Sequence, residues 1–210
     1  MRTAVILACA LLSACVSKPL APDWQADAKG ALDASVDDYL KGHTGASHSE
    51  FRSARLATTS TGRPDYVVQV ELVRCAAQVA SLEFDDCPGY AALAAEATPE
   101  QRAYADYLYG RWQGLDAALL PEQHRPVLVT GLVGAVADPL ARLVAAGAAF
   151  KAGRITPEGI AQAVDTASNQ GWRRPLLAWL GVQVQRAEAA GDAQEAQRLR
   201  RRIALASAQR

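Results

Sequence analysis

Four prolines stand where a first helical residue would, and this punctuation constrains the fold more than any other feature of the chain. Pro99, Pro121, Pro139 and Pro157 follow Thr98, Leu120, Asp138 and Thr156. Proline suits the first helical position, where its missing N–H would have no intrahelical partner, and threonine or aspartate before it caps the orphaned N–H groups. Ser47-x-x-Glu50, Thr98-x-x-Gln101 and Asp192-x-x-Glu195 have the form of capping boxes. Together these marks predict helices over 23–41, 47–60, 64–82, 99–118, 121–136, 139–152, 157–169, 172–190 and 192–208. The links are short, so consecutive helices are expected to pack as antiparallel hairpins, in a bundle or a short α-solenoid. The expected fold class is all-α.

Periodicity within the segments agrees. Val68, Leu72, Cys75, Val79 and Leu82 recur at helical spacing, while Glu71, Arg74, Gln78, Ser81 and Asp85 follow the opposite face. That pattern describes an amphipathic helix burying one stripe. Tyr104, Leu108, Trp112, Leu115 and Leu119 make a similar stripe over 99–118. Over 126–136, Val127, Leu128 and Val129 also suit a strand, and Gly131 and Gly134 weaken a helix. The helical reading is kept there.

With 210 residues, the chain is long enough for one domain with a real core or for two small ones, and 23–210 is read as a single helical domain. Its 22 basic and 22 acidic side chains leave no excess positive charge, so nucleic acid is not an expected partner. Alanine supplies much of the apolar half of the composition and aromatics are scarce, which favours helices packed closely through small side chains.

The amino end carries a different signal. Arg2 supplies positive charge, Ala4 to Leu12 form a short apolar run, and Ser13 and Ala14 are small. The run is far short of the ~20 residues a spanning helix needs. Leu12-Ser13-Ala14-Cys15 resembles the lipobox of bacterial lipoproteins. In that family the leader is cut before the cysteine, which carries thioether-linked diacylglycerol. The resemblance implies a cleaved signal peptide over 1–14, lipidation at Cys15, and a Pro-containing tether over 15–22 that leads to the helical body. An earlier match, Ile6-Leu7-Ala8-Cys9, leaves too short an apolar region. Val16, rather than aspartate, follows the lipidated position, which implies the outer membrane with the body facing the periplasm.

On that reading Cys9 leaves with the leader and Cys15 takes lipid, so Cys75 and Cys87 remain and are expected to pair in an oxidising lumen. Reach sets a condition. Bonded cysteines need Cα atoms within about 7 Å, so the helix holding Cys75 must end near Ser81 or Leu82, or double back at once.

At the carboxyl end, Gly191-Asp192-Ala193-Gln194-Glu195-Ala196 resembles the turn and second-helix start of tetratricopeptide repeats. Ala196 falls at that family's small packing position. The Leu-Gly pair of the first helix is replaced by Gln183-Val184, and no next repeat follows. An ordinary helical hairpin is the plainer reading.

No local signature of catalysis or cofactor binding occurs, and no cofactor is expected. His43 and His48 align on neither a helix face nor a strand face, so metal is not expected there. Asp85-Asp86 are read as solvated turn residues rather than a cation site. Arg186, Arg198, Arg200, Arg201 and Arg202 are read as complementing the helix dipole and interleaving with Glu188 and Glu195, rather than as a lipid or partner surface. Trp112, Trp172, Trp179, Tyr104, Tyr107 and Tyr109 are expected mainly in the core, with at least one of the tyrosines reaching the surface. Two functions remain. The first is a membrane-tethered, non-enzymatic interaction protein that binds another envelope protein. The second is a peptidoglycan-active enzyme such as a lytic transglycosylase, disfavoured because no Glu-Ser pair of that family's kind occurs, only Ser49-Glu50.

Overall fold

The computed structural model describes residues 22–208, in ten α-helices and four short 3-10 turns with no strand among the described residues. The helices are α1 (Asp23–Lys41), α2 (Thr44–Thr59), α3 (Pro64–Ala80), α4 (Pro88–Ala91), α5 (Pro99–Leu108), α6 (Arg125–Thr130), α7 (Pro139–Lys151), α8 (Pro157–Gln170), α9 (Arg173–Ala189) and α10 (Ala193–Ser207). The expected all-α class holds. Lipidation at Cys15, the leader and the tether up to residue 21 lie outside the described residues.

Two central helices organise the packing. α3 touches α1, α2, α5 and α7, and α7 continues through α8 and α9 to α10, each packed on the one before. α7 is built for this place, because Leu143 through Ala149 are all buried and mostly small. It crosses α3 so closely that a Cβ on Gly147 would lie 2.0 Å from the Val79 carbonyl oxygen. The solvent face of α3 is reduced to a narrow edge at Gln69 and Arg74. Val68, Leu72, Cys75 and Val79 are buried as the sequence suggests, but Glu71 and Ser81 of the supposed outer face are buried too. Neighbours surround the helix on most sides, so side chains of both faces leave water. The Glu71 carboxylate accepts a hydrogen bond from Arg55 Nε on α2 at 2.8 Å, which offsets part of its desolvation.

The caps explain where helices start. Thr98 and Gln101 form a reciprocal capping box at α5. Asp138 accepts from the Ala141 amide at 2.7 Å, Thr156 from Gly159 at 3.1 Å and Asp192 from Glu195 at 2.9 Å. Ser47-x-x-Glu50 is not a box. Gly42 ends α1 at φ +90°, the chain turns at once, and α2 begins at Thr44, which puts Ser47 inside the helix and buried.

Two expected helices are shorter than the sequence pattern implies. The helix expected over 99–118 stops at Leu108, because Gly110 adopts φ +72° and the Arg111 amide closes back on the Asp106 carbonyl at 2.9 Å. Glycine is required at 110, since a Cβ there would lie 2.8 Å from backbone atoms at the end of α7. Trp112 then folds back, stacks on Tyr107 and donates its indole N–H to the Tyr107 carbonyl at 2.9 Å. Its burial outside any helix is why the stripe Tyr104–Leu108–Trp112 looks continuous in the sequence. The segment 121–136 resolves into a 3-10 turn at Glu122–His124, α6, and a second 3-10 turn at Val133–Ala135. Pro126, not Pro121, lies in the first turn of α6, and Gly131 at φ +73° ends it.

α9 and α10 form the expected hairpin about Gly191, whose φ is +74°, with Ala196 and Leu199 buried against α9. Trp179 of α9 is wholly buried and ties this stack to the centre: its indole N–H donates to the Ala80 carbonyl at the end of α3, 3.1 Å away. Trp179→Phe keeps most of the ring but leaves that carbonyl without its donor. The expected cost is about 1–2 kcal/mol, read as a lowered urea midpoint. A midpoint unchanged from wild type would show that the bond contributes nothing.

Candidate functional site

Cys75 and Cys87 are bonded, with Cα atoms 5.5 Å apart. The reach condition is met as expected: α3 ends at Ala80, and the Leu82 and Glu83 amides bond back to the Val79 and Gln78 carbonyls. Leu82, Asp86 and Cys87 all take positive φ in doubling the chain back. Asp85 accepts from the Gln78 side chain at 2.8 Å and from the Cys87 amide at 3.1 Å, while Asp86 meets Lys151 at 3.3 Å. Both carboxylates thus serve the turn.

Two of the openings in the helical body bring polar and apolar side chains together from several helices. The first is a cleft of about 130 Å³ between α1, α2, α3 and the start of α9. Leu32, Val36, Phe51 and Ala77 supply its apolar lining. Arg174 stands in one wall, positioned by the turn at Gly171 (φ +67°) that launches α9. Its Nε donates to the Tyr39 carbonyl at 2.8 Å, Nη1 to Glu83 at 3.0 Å and Nη2 to the Thr44 hydroxyl at 2.8 Å. The guanidinium also stacks 4.3 Å from the Tyr39 ring centroid. Burial, and next the Glu83 carboxylate, hold the Tyr39 phenol well above its ordinary pKa, so it stays protonated. Arg74 stands in another wall with its guanidinium 4.6 Å from the Phe51 centroid. Among the described residues it has neither a hydrogen-bond acceptor nor a carboxylate partner.

The second opening is a groove of about 480 Å³ between α3, α5 and the segment leading into α6. Val73, Tyr104, Leu119 and Pro121 give it apolar surface, and Gln69, Gln123 and Arg125 give it polar edges. Behind it, Tyr104 and Tyr107 pack against His124 with ring centroids 5.7 and 5.0 Å away. The His124 Nδ1 and the Tyr107 hydroxyl are buried without partners among the described residues. Burial pushes the His124 pKa down to about 4, with Asp138 opposing weakly.

His124 therefore makes stability pH-dependent. The unfolded imidazole takes a proton near pH 6.5, but the folded one resists until about pH 4. Between these values the unfolded chain binds more protons, so folding is favoured fully above 6.5 and loses stability as pH falls towards 4. The expected loss is about 2 kcal/mol, and His124→Gln should remove that part of the slope in urea titrations at about pH 7, 5.5 and 4.5. Identical slopes for the two proteins would refute it.

The aromatics distribute largely as expected: Trp179 and Tyr107 are fully buried, Trp112 nearly so, and Tyr104, Tyr109 and Trp172 reach the surface in part. On α10, Arg198 pairs with Glu195 at 2.5 Å and Arg200 with Glu188, the interleaving the sequence suggests. His43 Nδ1 meets Asp38 at 3.0 Å, and His48 lines the first cleft. Sequence reasoning missed that cleft. Its polar groups come from α1, α2, α3, the turn after α3 and α9, and no local spacing relates Arg74 to Arg174. No protein-family model matches the chain, and no curated protein or solved structure matches it either.

Proposed function

We propose that this chain is a lipoprotein, anchored in the outer membrane through diacylglycerol at Cys15 and facing the periplasm, whose helical body binds another component of the envelope. The lipobox-like run Leu12-Ser13-Ala14-Cys15 carries the reading. The Cys75–Cys87 bond supports it, since disulfides persist in oxidising compartments such as the periplasm and are rare in the cytosol. The groove beside Tyr104 supports the binding role, because an apolar floor with polar edges suits a partner's peptide or helix. No helix among the described residues is long and apolar enough to cross a membrane, so on this reading the lipid is the attachment.

A tether over 15–22 spans at most roughly 28 Å when fully extended, which keeps the body near the bilayer surface. Cys15→Ser is expected to fold with the wild-type circular dichroism and melting temperature but to leave the membrane pellet for the soluble fraction. Sedimentation as tight as wild type would remove the lipid-anchor reading. Native protein should also begin, by mass spectrometry, at an acylated Cys15. A peptidoglycan zymogram should show no clearing zone; clearing would favour a wall-cleaving enzyme instead.

A further inference from the structure

We propose that the cleft between α1, α2, α3 and α9 binds a small carboxylate carried on an apolar group about the size of a benzene ring. The proposal stands independently of the lipid anchor.

Three observations define the ligand. The space, about 130 Å³, approaches the roughly 150 Å³ that admits benzene in an apolar protein cavity. Leu32, Val36, Phe51 and Ala77 line part of it and offer water no side-chain hydrogen bonds, so an apolar body gains by entering. Of the charged groups beside that lining, one cation is left over. Arg174 is matched by Glu83 and held by three hydrogen bonds, but Arg74 spends no N–H on any described protein acceptor. Its Cζ lies 4.6 Å from the Phe51 ring centroid, which places the guanidinium beside the apolar lining. A guanidinium with its N–H groups uncommitted binds a carboxylate through two parallel N–H···O bonds. Inorganic phosphate has no apolar part to fill the space, and a cation would meet Arg74.

The test uses the full-length protein and proton–nitrogen NMR. Benzoate should shift the Arg74 Nε–H and Ala77 amide signals saturably, with a dissociation constant of about 1 mM, a strength ordinary for so small a ligand. Benzamide, the same shape without the charge, should bind at least about tenfold more weakly, as should acetate, which lacks the ring. Arg74→Gln should weaken benzoate about tenfold with only a small change in melting temperature, because Arg74 is exposed and its one recorded contact is with the Phe51 ring. Arg200→Gln, far along the chain on α10, should change nothing. Gly-Gly-Phe with a free terminus, compared with its amide, separates the sources: binding of the free form alone assigns the site to chain ends, and benzoate binding without either peptide assigns it to a free acid. No saturation by about 20 mM benzoate, equal binding of benzamide, or indifference to Arg74→Gln would each overturn the proposal.

Discussion

Gly147→Val is expected to lower folding stability by about 3 kcal/mol or more, because it forces a branched side chain against immovable backbone. The position lies where the two central helices cross, and a Cβ there would stand 2.0 Å from the Val79 carbonyl oxygen and 2.7 Å from its carbon. Those atoms are backbone. No side-chain rotamer can relieve the contact, so α3 and α7 must separate and disturb the packing of Ala145, Ala146, Ala148 and Ala149, all buried in α7. Even Gly147→Ala should destabilise, although alanine is the better helix former by about 1 kcal/mol. Gly30 in α1 provides the contrast. Nothing lies within 4 Å of a Cβ built there, so Gly30→Ala should gain up to about 1 kcal/mol from propensity alone. Urea unfolding followed by circular dichroism reads both. Gly147→Val within about 1 kcal/mol of wild type would mean that the helices do not approach this closely.

The same crossing shows what the sequence reveals and what it hides. Four helix starts were legible because a cap is a local interaction: Thr98, Asp138, Thr156 and Asp192 each satisfy an amide three residues onward, within one turn, whereas Ser47 and Pro121 do not mark the starts expected of them. Helix ends were harder. Gly110 and Gly131 both terminate helices at positive φ, yet Gly30, Gly147 and Gly181 sit inside helices. Composition alone does not distinguish these roles; contact with α7 does, at Gly110. Burial of Glu71 was hidden for a related reason. Its partner Arg55 lies on another helix, and a hydrophobicity pattern counts a paired carboxylate as a solvent-facing one. The Cys75–Cys87 pair followed from the reading of the leader together with cysteine arithmetic, and its reach condition anticipated the end of α3. The cleft was invisible, because Arg74, Glu83 and Arg174 become neighbours only after the helices that carry them have packed.

Cys75→Ala combined with Cys87→Ala is expected to lower stability by about 3 kcal/mol. The bond joins residues 12 apart, and closing a loop of that size restricts the unfolded chain by about this amount in the chain-entropy model. Native geometry adds to the argument. Leu82, Asp86 and Cys87 hold left-handed backbone conformations that side-chain-bearing residues rarely adopt, and the bond helps keep them there. The turn so formed also docks outward: the Tyr109 hydroxyl donates to the Asp86 carbonyl at 3.0 Å, and Lys151 pairs with the Asp86 carboxylate. Loss of the bond therefore loosens contacts that reach α5 and α7, and hydrogen exchange over 81–92 should rise first. Each single alanine variant should lose nearly as much as the double, since either removes the same covalent link. The urea midpoint should fall by about 1–2 M. Both sulfurs belong to buried residues, so a reductant should act slowly on the native wild-type protein and quickly once urea opens it. If the double variant is within about 1 kcal/mol of wild type in urea, and exchange over 81–92 is unchanged, the turn is held by its hydrogen bonds and ion pair alone.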